Sequence, residues 1–257
     1  MCTTCGCGTD DHHHEHDHEH HDHDHFHGHH HDHTPAGTES LKTISVETDI
    51  LAKNNRLARG NRNLFFRKGI FVLNLVSSPG SGKTTILERT LLDMRGKLRF
   101  AVIEGDQQTD NDAVRIAATG VPVRQVNTGA GCHLDAHMVS HAVEAFDLDD
   151  LDVLLIENVG NLVCPATFDL GENHKVVVLS VTEGEDKPLK YPAMFHNADV
   201  MLLNKVDLLP HVDFDTAKCK EMARRVNPDI LIFDVSSKTG EGMDDWYGWL
   251  ASRTREK

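Results

Sequence analysis

Ser77-Ser78-Pro79-Gly80-Ser81-Gly82-Lys83-Thr84-Thr85 is the stretch that decides the fold. Set against the phosphate-loop pattern G-x-x-x-x-G-K-[ST], it agrees at every specified position except the first, where Ser77 replaces glycine. Gly80 and Gly82 let the backbone curl so that successive N–H groups converge on phosphate oxygens. A helix beginning there adds the positive end of its dipole. Lys83 is placed to reach the β- and γ-phosphates and the Thr84 hydroxyl to ligate Mg2+. Pro79, Ser81 and Thr85 complete the cradle. An apolar run at 70–76 enters the loop, and an amphipathic stretch with Ile86, Leu87 and Leu91 leaves it. Strand, loop and helix in that order are the context the motif needs.

The same alternation continues outward. Apolar runs at 98–103, 121–126, 153–157, 176–181, 200–204 and 230–233 are separated by helical stretches. Strands alternating with helices predict crossover units and a mostly parallel sheet buried on both faces, an α/β P-loop NTPase. Upstream, Thr48 is expected to cap a helix with Ile50, Leu51, Leu57 and Leu64 on its apolar side and Lys53, Arg56, Arg59 and Arg62 outside.

Asn204-Lys205-Val206-Asp207 ends one of these strands. A carboxylate at Asp207 can accept the N1–H and 2-amino hydrogens of guanine, donors that adenine lacks in that arrangement. The Lys205 stem can cover one face of the base. Ser236-Ser237-Lys238, after the last run, is expected to support the base from the far side. GTP is therefore the expected nucleotide. Asp106, just past the second run, and Glu157, at the end of the fourth and opening Glu157-Asn158-Val159-Gly160, are the candidates for holding Mg2+ or positioning the attacking water. Neither a single hydrolytic residue nor an arginine to neutralise developing charge stands out.

Asn127-Thr128-Gly129-Ala130-Gly131-Cys132-His133 precedes a helical stretch containing His137 and His141. A thiol at a helix start is a better ligand, and His133 and His137 are spaced to share a helix face. Cys164 follows the Glu157 segment. In a parallel sheet these segments leave the same edge as the phosphate loop, where ligands bind. Cys132, His133 and Cys164 can thus meet beside the nucleotide, although free buried cysteines are also common. Cys219 has no evident partner and reads as incidental.

The 257 residues carry a net charge of -14, which argues against a nucleic-acid binder. No apolar run is long enough to span a bilayer, and no secretory signal is visible, so the cytoplasm is the expected compartment. The charge is uneven: residues 1–40 hold nine acidic residues and no Lys or Arg, and 14 of the 20 histidines fall within 12–33. Two domains are expected, a Cys/His-rich segment with its linker over 1–38, disordered without metal, and the nucleotide-binding domain over 39–257. Residues 34–38 read as the linker. Cys2, Cys5 and Cys7 lie within six residues, close enough to converge on one soft cation, with a redox-active pair as the other reading. The histidines of 12–33 interleave with Asp and Glu, a composition that binds divalent metal without naming it.

Taken together, the chain resembles the HypB family of hydrogenase-maturation GTPases, SIMIBI-type in fold. The resemblance rests on Cys2-x-x-Cys5-x-Cys7, on the His-rich stretch, on Leu75 to Thr85 including Ser77, and on Gly131-Cys132-His133 with Asn161-Leu162-Val163-Cys164-Pro165. It implies a tight nickel site at Cys2, Cys5 and Cys7. It also implies a nickel or zinc site at Cys132, His133 and Cys164, formed across a GTP-dependent homodimer. His137 is an added candidate. The implied role is delivery of Ni2+ to the large-subunit precursor of [NiFe]-hydrogenase under control of GTP hydrolysis. The implied partners are a zinc-binding HypA-type protein and, in some organisms, SlyD. A urease-type accessory GTPase resembling UreG shares the fold and guanine motifs, but characteristically carries Cys-Pro-His where this chain has adjacent Cys132-His133. A metal-storage protein is the reading from a different class.

Overall fold

The computed structural model describes residues 36–107, 110–129 and 131–255, with side chains from Thr48 to Thr254. Cys2, Cys5, Cys7 and the histidines of 12–33 lie outside the described residues. Residues Asp49–Lys257 form one compact unit.

All seven expected strands are present. In chain order they are β1 (Phe71–Ser77), β2 (Phe100–Asp106), β3 (Val123–Asn127), β4 (Val153–Glu157), β5 (His174–Ser180), β6 (Val200–Asn204) and β7 (Leu231–Asp234). They form a single sheet in the order β3-β2-β4-β1-β5-β6-β7, with every neighbouring pair parallel. Near-continuous apolar runs build it because both faces are covered. Along β1, Leu73 and Leu75 pack with Ile86, Leu87 and Leu91 of α2 (Lys83–Asp93) and with Trp246 and Leu250 of α8 (Met243–Arg255). Val72 and Val76 point to the other face. There they meet residues of α1 (Ala36–Lys68), α4 (Ala136–Ala142), α6 (Pro192–His196) and α7 (Thr216–Val226). The remaining helices are α3 (Asn111–Ala117) and α5 (Lys187–Lys190). Among the described residues, no helix is long and apolar enough to cross a membrane.

Two local expectations are corrected. Thr48 lies inside α1 and not at its cap, and Ala36, Gly37 and Thr38, read as linker, are helical. No proline interrupts 36–68, so nothing removes a backbone donor and the helix runs on. The buried stripe of α1 is also displaced from the apolar one. Asn54, Ala58, Asn61 and Phe65 are buried at helical spacing, whereas Ile50 is 52% exposed. The two asparagines are inward because loops need them: Asn54 donates to Asp169 O and accepts from the Ala136 N–H, and Asn61 donates to Ala136 O and Leu170 O. Lys53, Arg56, Arg59 and Arg62 face solvent as expected.

Candidate functional site

The strands are parallel, so their C-terminal ends share one edge, and the loops that follow β1, β2, β4 and β6 converge there. The loop after β1 is wrapped by left-handed turns at Gly80 (φ 76°) and Gly82 (φ 94°) and runs straight into α2 at Lys83. Gly82 is doubly constrained, because a Cβ there would come 2.5 Å from Asn204 Nδ2. Ser77, in place of the first consensus glycine, is an ordinary buried strand residue whose hydroxyl donates to Ser78 O. The loop walls a cavity of about 600 Å3 that Asp106, Gln107, Asp112, Arg115, Val159, Gly160 and Lys205 also line.

Glu157 ties the Lys83 end of the cradle together. Its Oε1 lies 3.1 Å from Lys83 Nζ and accepts the Thr84 hydroxyl at 2.6 Å. Among the described residues its Oε2 is buried with no hydrogen-bond partner, as is Oε2 of Glu104, its register partner on β2. Burial, then the charges of Glu157 and Asp106, push the Glu104 carboxyl up to about 8. Glu157 against the Thr84 hydroxyl, with Asp106 on the wall of the same cavity, offers oxygens of the kind a hard divalent cation takes. Glu104 was not singled out by sequence reasoning, since one acid inside an apolar strand carries no spacing signal. Arg115 was missed too. It lines the cradle from α3, donating to Thr85 Oγ1 (3.1 Å) and Glu88 Oε2 (2.7 Å).

At the β6 end, Asn204 is fully buried. Its amide donates to Ser81 O at 2.9 Å and its carbonyl accepts the Ser237 N–H at 3.2 Å, so one side chain joins the phosphate loop to the segment after β7. Lys205, left-handed at φ 63°, donates from Nζ to Gly80 O at 2.7 Å. Asp207 Oδ1 accepts the Ser236 hydroxyl at 2.6 Å. Asn204, Lys205, Asp207, Ser236 and Ser237 are thus gathered at one corner, with Lys238 exposed beside them.

Cys132, His133 and Cys164 come together: one ligand atom from each lies within 4.8 Å of the others, and Cys132 Sγ is 3.6 Å from His133 Nδ1. The first loop is pinched where Thr128 Oγ1 donates to Gly131 O, and a Cβ on Gly131 would stand 2.9 Å from Thr128 O. In the second loop Asn161 Oδ1 accepts the Val163 and Cys164 N–H groups, turning Cys164 inward. The Phe168 ring packs 4.0 Å from that of His133, and burial lowers the His133 pKa, favouring the neutral ring that binds metal. Two expectations fail here. α4 begins only at Ala136, so neither Cys132 nor His133 is on it and the helix-start argument does not apply. His137 instead faces His141, Nε2 to Nε2 at 3.1 Å. Cys219 is sealed in the core, its thiol pushed up to about 12 by burial.

Fold and site together define a P-loop nucleotide-binding protein with a cysteine–histidine cluster at the nucleotide edge of its sheet. Residues 71–234 match the family described as "CobW/HypB/UreG, nucleotide-binding domain". The hydrogenase maturation factor HypB of Azotobacter vinelandii is 64% identical over 217 residues, covering 83% of this chain and 71% of that one. The HypB of Escherichia coli (strain K12) is 61% identical over 217 residues, covering 84% and 75%. The crystal structure of HypB from Helicobacter pylori in complex with nickel superimposes with a TM-score of 0.75 at 42% identity, covering 79% of this chain and 96% of that one. The chain belongs to the HypB family of hydrogenase maturation factors.

Proposed function

We propose that the chain is a GTPase that holds Ni2+ at Cys132, His133 and Cys164 and yields it to the large-subunit precursor of [NiFe]-hydrogenase under nucleotide control. The observation that carries this reading is the shared loop after β4. It opens with Glu157 on Lys83 and Thr84 and continues to Cys164, a ligand of the metal cluster. On the β2 side, Gln107 lines the cradle and donates to Gly131 O beside Cys132. A rearrangement of phosphate-contacting groups therefore moves metal ligands, and by linkage the metal must act back on the nucleotide.

In the reaction, the N–H groups of Gly80 to Thr85 and the Lys83 ammonium bind and orient the phosphates, with Pro79 shaping the loop. Thr84, Asp106 and Glu157 would hold Mg2+, which supplies charge neutralisation on the phosphates. Asp207 reads guanine, braced by Ser236, while Lys205 covers the base and Asn204, Ser237 and Lys238 shape its corner. Arg115 brings positive charge to the phosphate side. Ni2+ is cargo, with Zn2+ a competitor for the same soft donors. GTP-dependent pairing of two copies, a HypA-type protein, SlyD and a cytoplasmic setting, without nucleic acid or membrane, belong to the same proposal. The nickel-bound relative supports the metal.

Two measurements test it. GTP turnover is expected in the unaltered protein and at most about 1% of it in Lys83→Ala; equal turnover in both would leave a storage protein. A Ni2+ titration with GDP and with a non-hydrolysable GTP analogue, read with molecular mass, is expected to give nucleotide-dependent affinity and a dimer in the analogue state.

A further inference from the structure

A chain of buried amides and a carboxylate crosses the sheet beneath the metal cluster. Asn158, next to Glu157, is 1% exposed, and Asn74, in the middle of β1, is fully buried. Asn158 Oδ1 accepts the N–H of Leu134, the residue after His133, at 3.0 Å, and also the Val159 N–H. Asn158 Nδ2 donates to Asn74 Oδ1 at 3.2 Å. Asn74 Nδ2 donates to Glu172 Oε1 at 3.0 Å, and Glu172 Oε2 accepts the Leu170 N–H at 2.7 Å. From β5, the buried Lys175 Nζ donates to the carbonyls of Pro165, Ala166 and Phe168. Both halves of the metal cluster thus hang from one polar frame, the Cys132–His133 loop at Leu134 and the Cys164 loop at 165–170.

A polar amide in the middle of a buried strand, between Leu73 and Leu75, costs stability unless it is fully bonded, so Asn74 needs a reason. The geometry supplies one. Asn158 is covalently attached to the residue that grips Lys83 and Thr84, and its side chain ends on the metal loop. Hydrogen bonds are directional, so a shift of the β4 end must either drag Leu134 with it or break the chain. An apolar contact would let the two slide.

We infer that Asn158 and Asn74 are positioning residues that transmit the nucleotide state to the separation of the Cys132–His133 and Cys164 ligands, with Glu172 and Lys175 as the fixed end. The inference rests on the nucleotide-controlled metal binding proposed above. It assigns that control to a buried relay and not to the exposed part of the loop after β4.

The test uses the full-length chain carrying Cys2→Ser, Cys5→Ser and Cys7→Ser and with every histidine of 12–33 replaced by glutamine, so that the internal site alone reports. Ni2+ affinity is measured with GDP and with a non-hydrolysable GTP analogue, before and after Asn74→Leu. The parent is expected to show a ratio of about fivefold or more, and Asn74→Leu a ratio within about twofold of unity while still binding the analogue. A merely structural asparagine would lower the melting temperature and leave the ratio alone, and that result overturns the relay by itself. A parent without nucleotide dependence overturns the proposed function, and the relay with it. Should Asn74→Leu fail to melt cooperatively, hydrogen exchange at the Leu134 amide of the parent decides. Rates differing about tenfold between the two nucleotide states support the relay, and equal rates overturn it.

Discussion

Gly82 answers to two demands at once, a left-handed backbone and the pressure of the Asn204 amide where a Cβ would sit. Gly82→Ala is expected to cost about 1–3 kcal/mol of stability and to weaken nucleotide binding by ~10-fold or more. Chemical denaturation and a fluorescent-nucleotide titration measure the two effects. Asp207, braced by Ser236, is expected to discriminate by accepting two hydrogens from the base. Asp207→Asn should therefore move preference from guanine toward xanthine by roughly 10- to 100-fold, and unchanged preference in a competition assay would refute the base-reading role. Cys219 shows the opposite situation, a thiol with no solvent access whose thiolate is suppressed at neutral pH. Iodoacetamide on the native protein at pH 8 is expected to label Cys132 and leave Cys219 intact, read by peptide mass.

At the scale of elements, α1 is instructive. Its inward stripe reads Asn54, Ala58, Asn61 and Phe65, and the asparagines bond the far ends of the two segments that follow β3 and β4. Asn61→Ala leaves the carbonyls of Ala136 and Leu170 without this donor, in a place water cannot easily reach. The expected loss is about 1–3 kcal/mol in urea unfolding with an unchanged slope. A loss below a few tenths of a kcal/mol would mean that the loops hold themselves. The strands behave differently. Their hydrophobic runs are a local property, so all seven are legible in the sequence, with ends displaced by a few residues where the ladder rather than the composition stops the strand. The register that brings Glu104 opposite Glu157 is not local, and neither acid's partner can be read from the chain.

Over the whole molecule, the first 40 residues are acidic and hold 14 of the 20 histidines, whereas the phosphate loop and the Cys132, His133 and Cys164 cluster lie further along the chain. Removing residues 2–7 is expected to abolish the tightest Ni2+ site and leave GTP turnover intact. Deleting 12–33 should lower the metal stoichiometry without changing the tight affinity. Equilibrium dialysis beside a turnover assay checks both, and lost turnover in either protein would show that head and domain are not independent.

By itself the sequence determined the α/β class, the phosphate loop and the pairing of a guanine-type motif with a Cys-His and Cys constellation, because each depends on residue types at short spacings. Only the tertiary structure decided which groups face one another. It set Arg115 at the cradle and Glu104 opposite Glu157, turned Asn204 into a clamp on the loop, parted His137 from the cluster and strung Asn158, Asn74 and Glu172 beneath it. The physical reason is that a parallel sheet places residues far apart in the chain side by side, and no short-range pattern encodes that register.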